Sequence, residues 1–153
     1  MVDEAVACFE RCLPMFTALG HGLGEASTLL ELAIAHARTG RLDEAITKLN
    51  ACLPILDRLG HDRLQAHALR RLGELLADTG RRREALAALD RCLVLLEDHA
   101  DHLLLRAQVL ERRASLLDHL GDPKAAATAR AEARALLDHL PAPAASLARE
   151  LGA

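Results

Sequence analysis

Residues that fit a buried stripe return along this chain at helical spacing: Leu29, Leu32, Ala33 and His36, then Leu69, Leu72, Gly73 and Leu76, then Leu110, Ala114 and Leu117. These stripes predict helices over roughly 24–39, 62–79 and 103–120. A second series is predicted over roughly 43–59, 83–98 and 124–139, and one more helix of that kind over 3–19. Gly40, Gly80 and Gly121 fall between members of the two series, where a helix closes on a left-handed residue. Asp43 and Asp122 place acids at helix starts, and Pro123 suits a first helical position because its missing N–H has no partner to lose. Pro14 and Pro54 lie inside helices of the second series, so both predict a kink. No stretch alternates polar and apolar residues as a half-buried strand would, which makes the fold class all-α.

The same positions reveal a repeat. DEAVACFERCLPMFTALGHGLGEA, from Asp3, realigns without gaps on DEAITKLNACLPILDRLGHDRLQA, from Asp43, with a period of 40 residues. REALAALDRCLVLLEDHADHLLLRA from Arg83 keeps the register, and a degraded copy, KAAATARAEARALLDHLPAPAASLA from Lys124, follows after one extra residue. The whole chain, 1–153, therefore reads as a single array. Its parts are a second helix of a partial repeat (3–20), repeats over 24–60, 62–99 and 103–140, and a partial capping helix over 142–153. Small residues recur where two helices must approach closely: Ala33, Gly73 and Ala114 in the first helix of each unit, Ala45, Ala85 and Ala126 in the second.

A glycine at the turn, an alanine five residues later, a small residue inside the first helix and another seven after that alanine together resemble the tetratricopeptide repeat. The positions are Ala33, Gly40, Ala45 and Cys52, then Gly73, Gly80, Ala85 and Cys92, then Ala114, Gly121, Ala126 and Ala133. The resemblance implies antiparallel helix pairs stacked as a right-handed superhelix, an α-solenoid that binds protein or peptide and performs no catalysis. The chain departs from the family in its 40-residue period and in carrying His36, Leu76 and Leu117 where the first helix has an aromatic. Forty-residue repeats with an LGH link also resemble the C-terminal arrays of actinobacterial SARP-type antibiotic regulators and signal-transducing ATPases. That resemblance implies a regulatory or sensing domain of a bacterial transcriptional regulator, whose partners include other domains of the same regulator. Opening inside a second helix and ending on SLARELGA is expected of a fragment with an added Met1.

Composition narrows the functions. The net charge is −3 with both signs interspersed, which leaves no basic footprint for nucleic acid. No apolar run spans a bilayer, and MVDEAVACFERC puts acids where a secretory signal has bases, so the expected location is cytoplasmic, with no membrane contact. Cys12, Cys52 and Cys92 recur every 40 residues, but equivalent positions in a stack lie about 10 Å or more apart, beyond disulfide reach. They read as small, buried, reduced residues, and Cys8 adds no CxxC. The eight histidines scatter. His21 and His61 repeat in the links, His119 and His139 lie towards the C-terminal end, and only His99 and His102, with Asp98 or Asp101, suggest a surface metal or pH-sensitive patch. The reading is no metal, no cofactor and no catalytic residue, since no HExxH, GxSxG or phosphate loop occurs.

In the resembling family the solvent side of each first helix lines a concave groove. Here that surface maps to Ser27, Leu30, Ile34, His67, Arg70, Arg71, Glu74, Gln108, Glu111 and Ser115. The family's carboxylate clamp uses Lys and Asn, which these positions lack, so recognition of a chaperone tail is not expected. Arg70 and Arg71 suit an acidic peptide, or an intrahelical pair with Glu74. Two alternatives stay open: an oligomerisation module of a larger signalling protein, in which the chain forms a homo-oligomer, and a sensor of a small peptide ligand.

Overall fold

The structure, a computed structural model, describes residues 1–97 and 102–139. Within them the chain forms α1 (Val2–Ala18), α2 (Gly22–Arg38), α3 (Leu42–Leu59), α4 (Asp62–Asp78), α5 (Arg82–Leu96), α6 (Leu103–His119) and α7 (Pro123–Asp138). The expected capping helix over 142–153, and His99 with Asp98 and Asp101, lie outside the described residues.

Five glycines set the turns. Gly20, Gly40, Gly60, Gly80 and Gly121 have φ of +64°, +75°, +61°, +78° and +84°, a region that a Cβ disfavours. The sequence reading placed three of them; Gly20 and Gly60 make the link between repeats as tight as the turn within one. The repeated link histidines then start the next helix. Nδ1 of His21 accepts from the Gly24 N–H at 3.0 Å and Nδ1 of His61 from the Leu64 N–H at 3.4 Å, as Asp122 accepts from Ala125 at 3.0 Å.

Both inward-helix prolines sit in helices that continue past them: α1 runs through Pro14 and α3 through Pro54 without a break. Each is exposed, so the carbonyl that loses its N–H partner can turn to water. Their equivalent in α5 is Val94, also exposed.

Packing follows the repeat. The most extensive contacts join α2 with α3, α4 with α5 and α6 with α7; smaller ones join α1 with α2, α3 with α4 and α5 with α6. The result is an all-α solenoid of helix pairs. One continuous core, containing Ala26, Leu49, Leu56, Leu69, Leu89 and Leu96, runs through the first two complete repeats, and a second, alanine-rich one binds α6 to α7 through Ala114, Ala126, Ala129 and Ala133. With no phenylalanine in either of these two cores, closeness replaces bulk: alanines meet alanines, and leucines fill the spaces between.

The cysteines share that logic. Cys52 Sγ donates to the Ala26 carbonyl and Cys92 Sγ to the Ala66 carbonyl, each at 3.2 Å, so each thiol ties the second helix of a repeat to the first. Burial pushes both thiols up from 9.0 to about 11. Cys12 departs from the expectation of burial: it is half-buried, because no described helix covers that side of α1. Because the folded chain holds these two protons beyond the unfolded value, the stabilisation is complete below pH 9 and is lost as pH rises towards 11. The melting temperature is therefore expected to fall over that interval, by the equivalent of ~2 kcal/mol per thiol. A Cys52→Ala, Cys92→Ala variant should flatten the fall. With no tyrosine and only Lys48 and Lys124 as lysines, few other groups titrate there, and an equal slope in the variant would refute the assignment.

Candidate partner-binding groove

The first helices of the repeats, α2, α4 and α6, stand side by side, and α4 touches α6 directly. Between them runs a groove of 430 Å³, floored by Ala33, Ile34, Ala37, Leu42, Leu49 and Leu75 and edged by Arg38, Arg71, Glu74, Asp78 and Arg112. It adjoins a smaller hollow of 150 Å³, where Gly73, Glu74, Asp78, Arg82, Arg112, Ser115 and His119 meet. Arg38, Arg71, Arg82 and Arg112 thus face Glu74 and Asp78 on a chain whose net charge is −3.

The ten residues expected at this surface divide. Ile34, Arg71 and Glu74 line the larger groove, and Glu74 and Ser115 the smaller hollow. Ser27, His67 and Gln108 line neither, being nearer the N-terminal ends of their helices, and neither does Glu111, which stands in the middle of α6. Leu30 is a correction: only 8% exposed, it belongs to the core. Arg70 is turned the same way, 19% exposed, with its guanidinium 2.6 Å from Glu74, which also takes a 3.2 Å contact from Arg71. Burial first, then the charges of Arg70, Arg63, His102 and Arg71, lower the His67 pKa and favour its neutral ring.

The difference is one of helical phase. Positions 30, 70 and 111 are equivalent in the repeat, and 31, 71 and 112 lie one residue on, a rotation of about 100°. The face that lines the groove continues from 71 through 74 to 78, and from 112 through 115 to 119. Arg38, Asp78 and His119, each four residues beyond Ile34, Glu74 and Ser115, and Arg112, three residues before Ser115, were missed, although that helical spacing could have found them.

Arg38 and Arg112 are exposed and make no ion pair among the described residues. Arg113, beside Arg112, is engaged with Asp90 at 2.6 Å, and Arg130 with Asp118. Among the described residues, no group of three or more His, Cys, Asp or Glu side chains could hold a metal ion, and no helix is long and apolar enough to cross a membrane.

Solved structures share this architecture. One is BtubC (BKLC) from P. vanneervenii, with a TM-score of 0.80 and 17% identity over 88% of this chain. This chain spans 56% of the length of that protein. A second is MamA, with a TM-score of 0.51 and 16% identity over 90% of this chain and 89% of its own. At such identities the likeness shows the fold alone. No curated protein matches the sequence. The family model described as tetratricopeptide repeat matches residues 1–58 and again 25–98, which is more than half of the chain. The chain therefore belongs to the tetratricopeptide-repeat family, whose repeats generally mediate contact between proteins.

Proposed function

We propose that this array binds an acidic stretch of a partner protein in the groove across α2, α4 and α6, as a scaffold without catalysis of its own. The observation that carries the reading is the pair of unengaged arginines, Arg38 and Arg112, on the edges of an apolar floor. Guanidinium groups take carboxylates by paired hydrogen bonds, and Ile34 and Leu75 offer apolar surface between them. An occupant would carry acids flanking one or two aliphatic side chains. A fluorescent peptide alternating glutamate and leucine is expected to bind, a glutamine counterpart to bind at least about tenfold more weakly, and the difference to shrink with added salt. Equal affinity for the two peptides would refute the reading.

The finer reading concerns the host. We infer a cytoplasmic regulatory or sensing array of a bacterial transcriptional regulator, supported by the 40-residue period and the LGH link. Co-purification of the array with a DNA-binding domain or ATPase of the same polypeptide tests it; isolation as a free-standing chain with no such domain counts against it.

A further inference from the structure

The sequence sets three arginines side by side in one place, Arg81, Arg82 and Arg83, directly after the Gly80 turn. The equivalent places before and in α3 hold Arg41, Leu42 and Asp43, and the acid there agrees with the helix dipole. In α5 the dipole opposes Arg82 and Arg83, so the pair costs stability where it stands. The nearby acid does not relieve them. Arg81 takes both oxygens of Glu84, donating from Nε to Oε1 at 2.9 Å and from a terminal nitrogen to Oε2 at 2.6 Å. Arg82 and Arg83 are exposed and make no ion pair among the described residues.

Both line a shallow hollow of 320 Å³, walled on its far side by His119 and Leu120 at the C-terminal end of α6. His119 Nδ1 donates to the Ser115 carbonyl at 2.6 Å, which orients the ring and leaves Nε2 for an occupant. The hollow continues the groove: Arg82 and His119 also line the 150 Å³ hollow, and that one shares Glu74, Asp78 and Arg112 with the groove. Asp78 stays on the groove side. In the last hollow the acid is Glu84, already held by Arg81, so Arg82, Arg83 and His119 meet no unengaged carboxylate there.

We propose that Arg82, Arg83 and His119 form a phosphate site at the end of the groove, which takes a phosphorylated serine or threonine of the segment bound there. Such a side chain carries about −1.5 to −2 charge and three acceptor oxygens, enough for two guanidinium groups and a ring nitrogen, where a carboxylate offers two oxygens and one charge. The site rests on the groove reading for the remainder of the contact, and it makes recognition respond to phosphorylation of the partner.

The probes are the fluorescent peptide alternating glutamate and leucine, extended at either end by two glycines and a phosphoserine, and the same two peptides with serine. Anisotropy is measured at physiological salt on the parent and on Arg83→Gln, which removes an exposed charge outside the groove. One phosphoserine peptide is expected to bind the parent at least about tenfold more tightly than its serine counterpart. In Arg83→Gln that gain should shrink to about twofold or less, while the serine peptides bind both proteins alike. The proposal is overturned if neither end gains from phosphorylation, or if the gain survives in Arg83→Gln. It is also overturned if millimolar inorganic phosphate removes the gain, which would make the free anion the ligand. The serine peptides report the groove alone: if they fail to bind while a phosphoserine peptide binds through Arg83, the groove reading falls and the phosphate site stands.

Discussion

Gly73→Leu is expected to lower stability by about 3 kcal/mol, the upper part of the range for overpacking, and the melting temperature by ~10 °C. The glycine lies inside α4, where it costs about 1 kcal/mol of helix propensity against alanine, so a packing reason must outweigh that cost. The reason is the Leu89 side chain, already at 2.6 Å from where a Cβ would stand, with the Ala85 carbonyl at 3.3 Å behind it. A leucine there meets both neighbours, and neither can withdraw: Leu89 is 1% exposed and Ala85 is a helix backbone against α4. A double-mutant cycle locates the effect. Leu89→Ala alone should cost about 2–5 kcal/mol as a cavity. Gly73→Ala combined with Leu89→Ala should cost clearly less than the sum of the two single changes, since the new methyl enters the vacated space. Strict additivity in calorimetry would show that these residues do not share a crossing.

Among the described residues, helix number, spacing and pairing were legible because each repeat states them again. A stripe such as Leu69, Leu72 and Leu76 fixes a helix, Gly80 ends it, and Ala85 shows where the next one presses close. The predicted bounds fall within two residues of those found for every described helix, as 62–79 against Asp62–Asp78 illustrates. What the pattern hid was local chemistry and rotational phase. In the sequence His21 and His61 show only as residues repeated in the links; their ring nitrogens accept from backbone N–H groups three residues on, a role that serine or aspartate would have announced. Leu30 and Arg70 were assigned to the groove, whereas stacking turns both towards the neighbouring helices, and in α4 and α6 the residue that lines the groove is the following one, Arg71 or Arg112. A helix's buried stripe is written in its sequence. Its exposed remainder spans more than half the circumference, and only stacking decides which part of it faces a groove.

That distinction yields the other large expected effect. Arg38→Glu combined with Arg112→Glu should weaken binding of the acidic probe at least about a hundredfold, because each charge-assisted hydrogen bond lost is worth about 1.5–3 kcal/mol. Melting should stay within the equivalent of ~0.5 kcal/mol, as is usual for exposed side chains, since neither arginine has an ion pair among the described residues. Arg70→Glu should do the reverse. At 19% exposure, and 2.6 Å from a Glu74 that is itself 16% exposed, it would set two carboxylates against each other in a half-buried place. The result should be a destabilised fold, by about 1–3 kcal/mol, with any loss of binding following the loss of folded protein. Circular dichroism and fluorescence anisotropy on the same samples separate the two. If the Arg38 and Arg112 variant binds the probe like the parent while remaining folded, the groove is not the site. The search then passes to the convex side, where the second helices expose Met15, Leu59 and Val94.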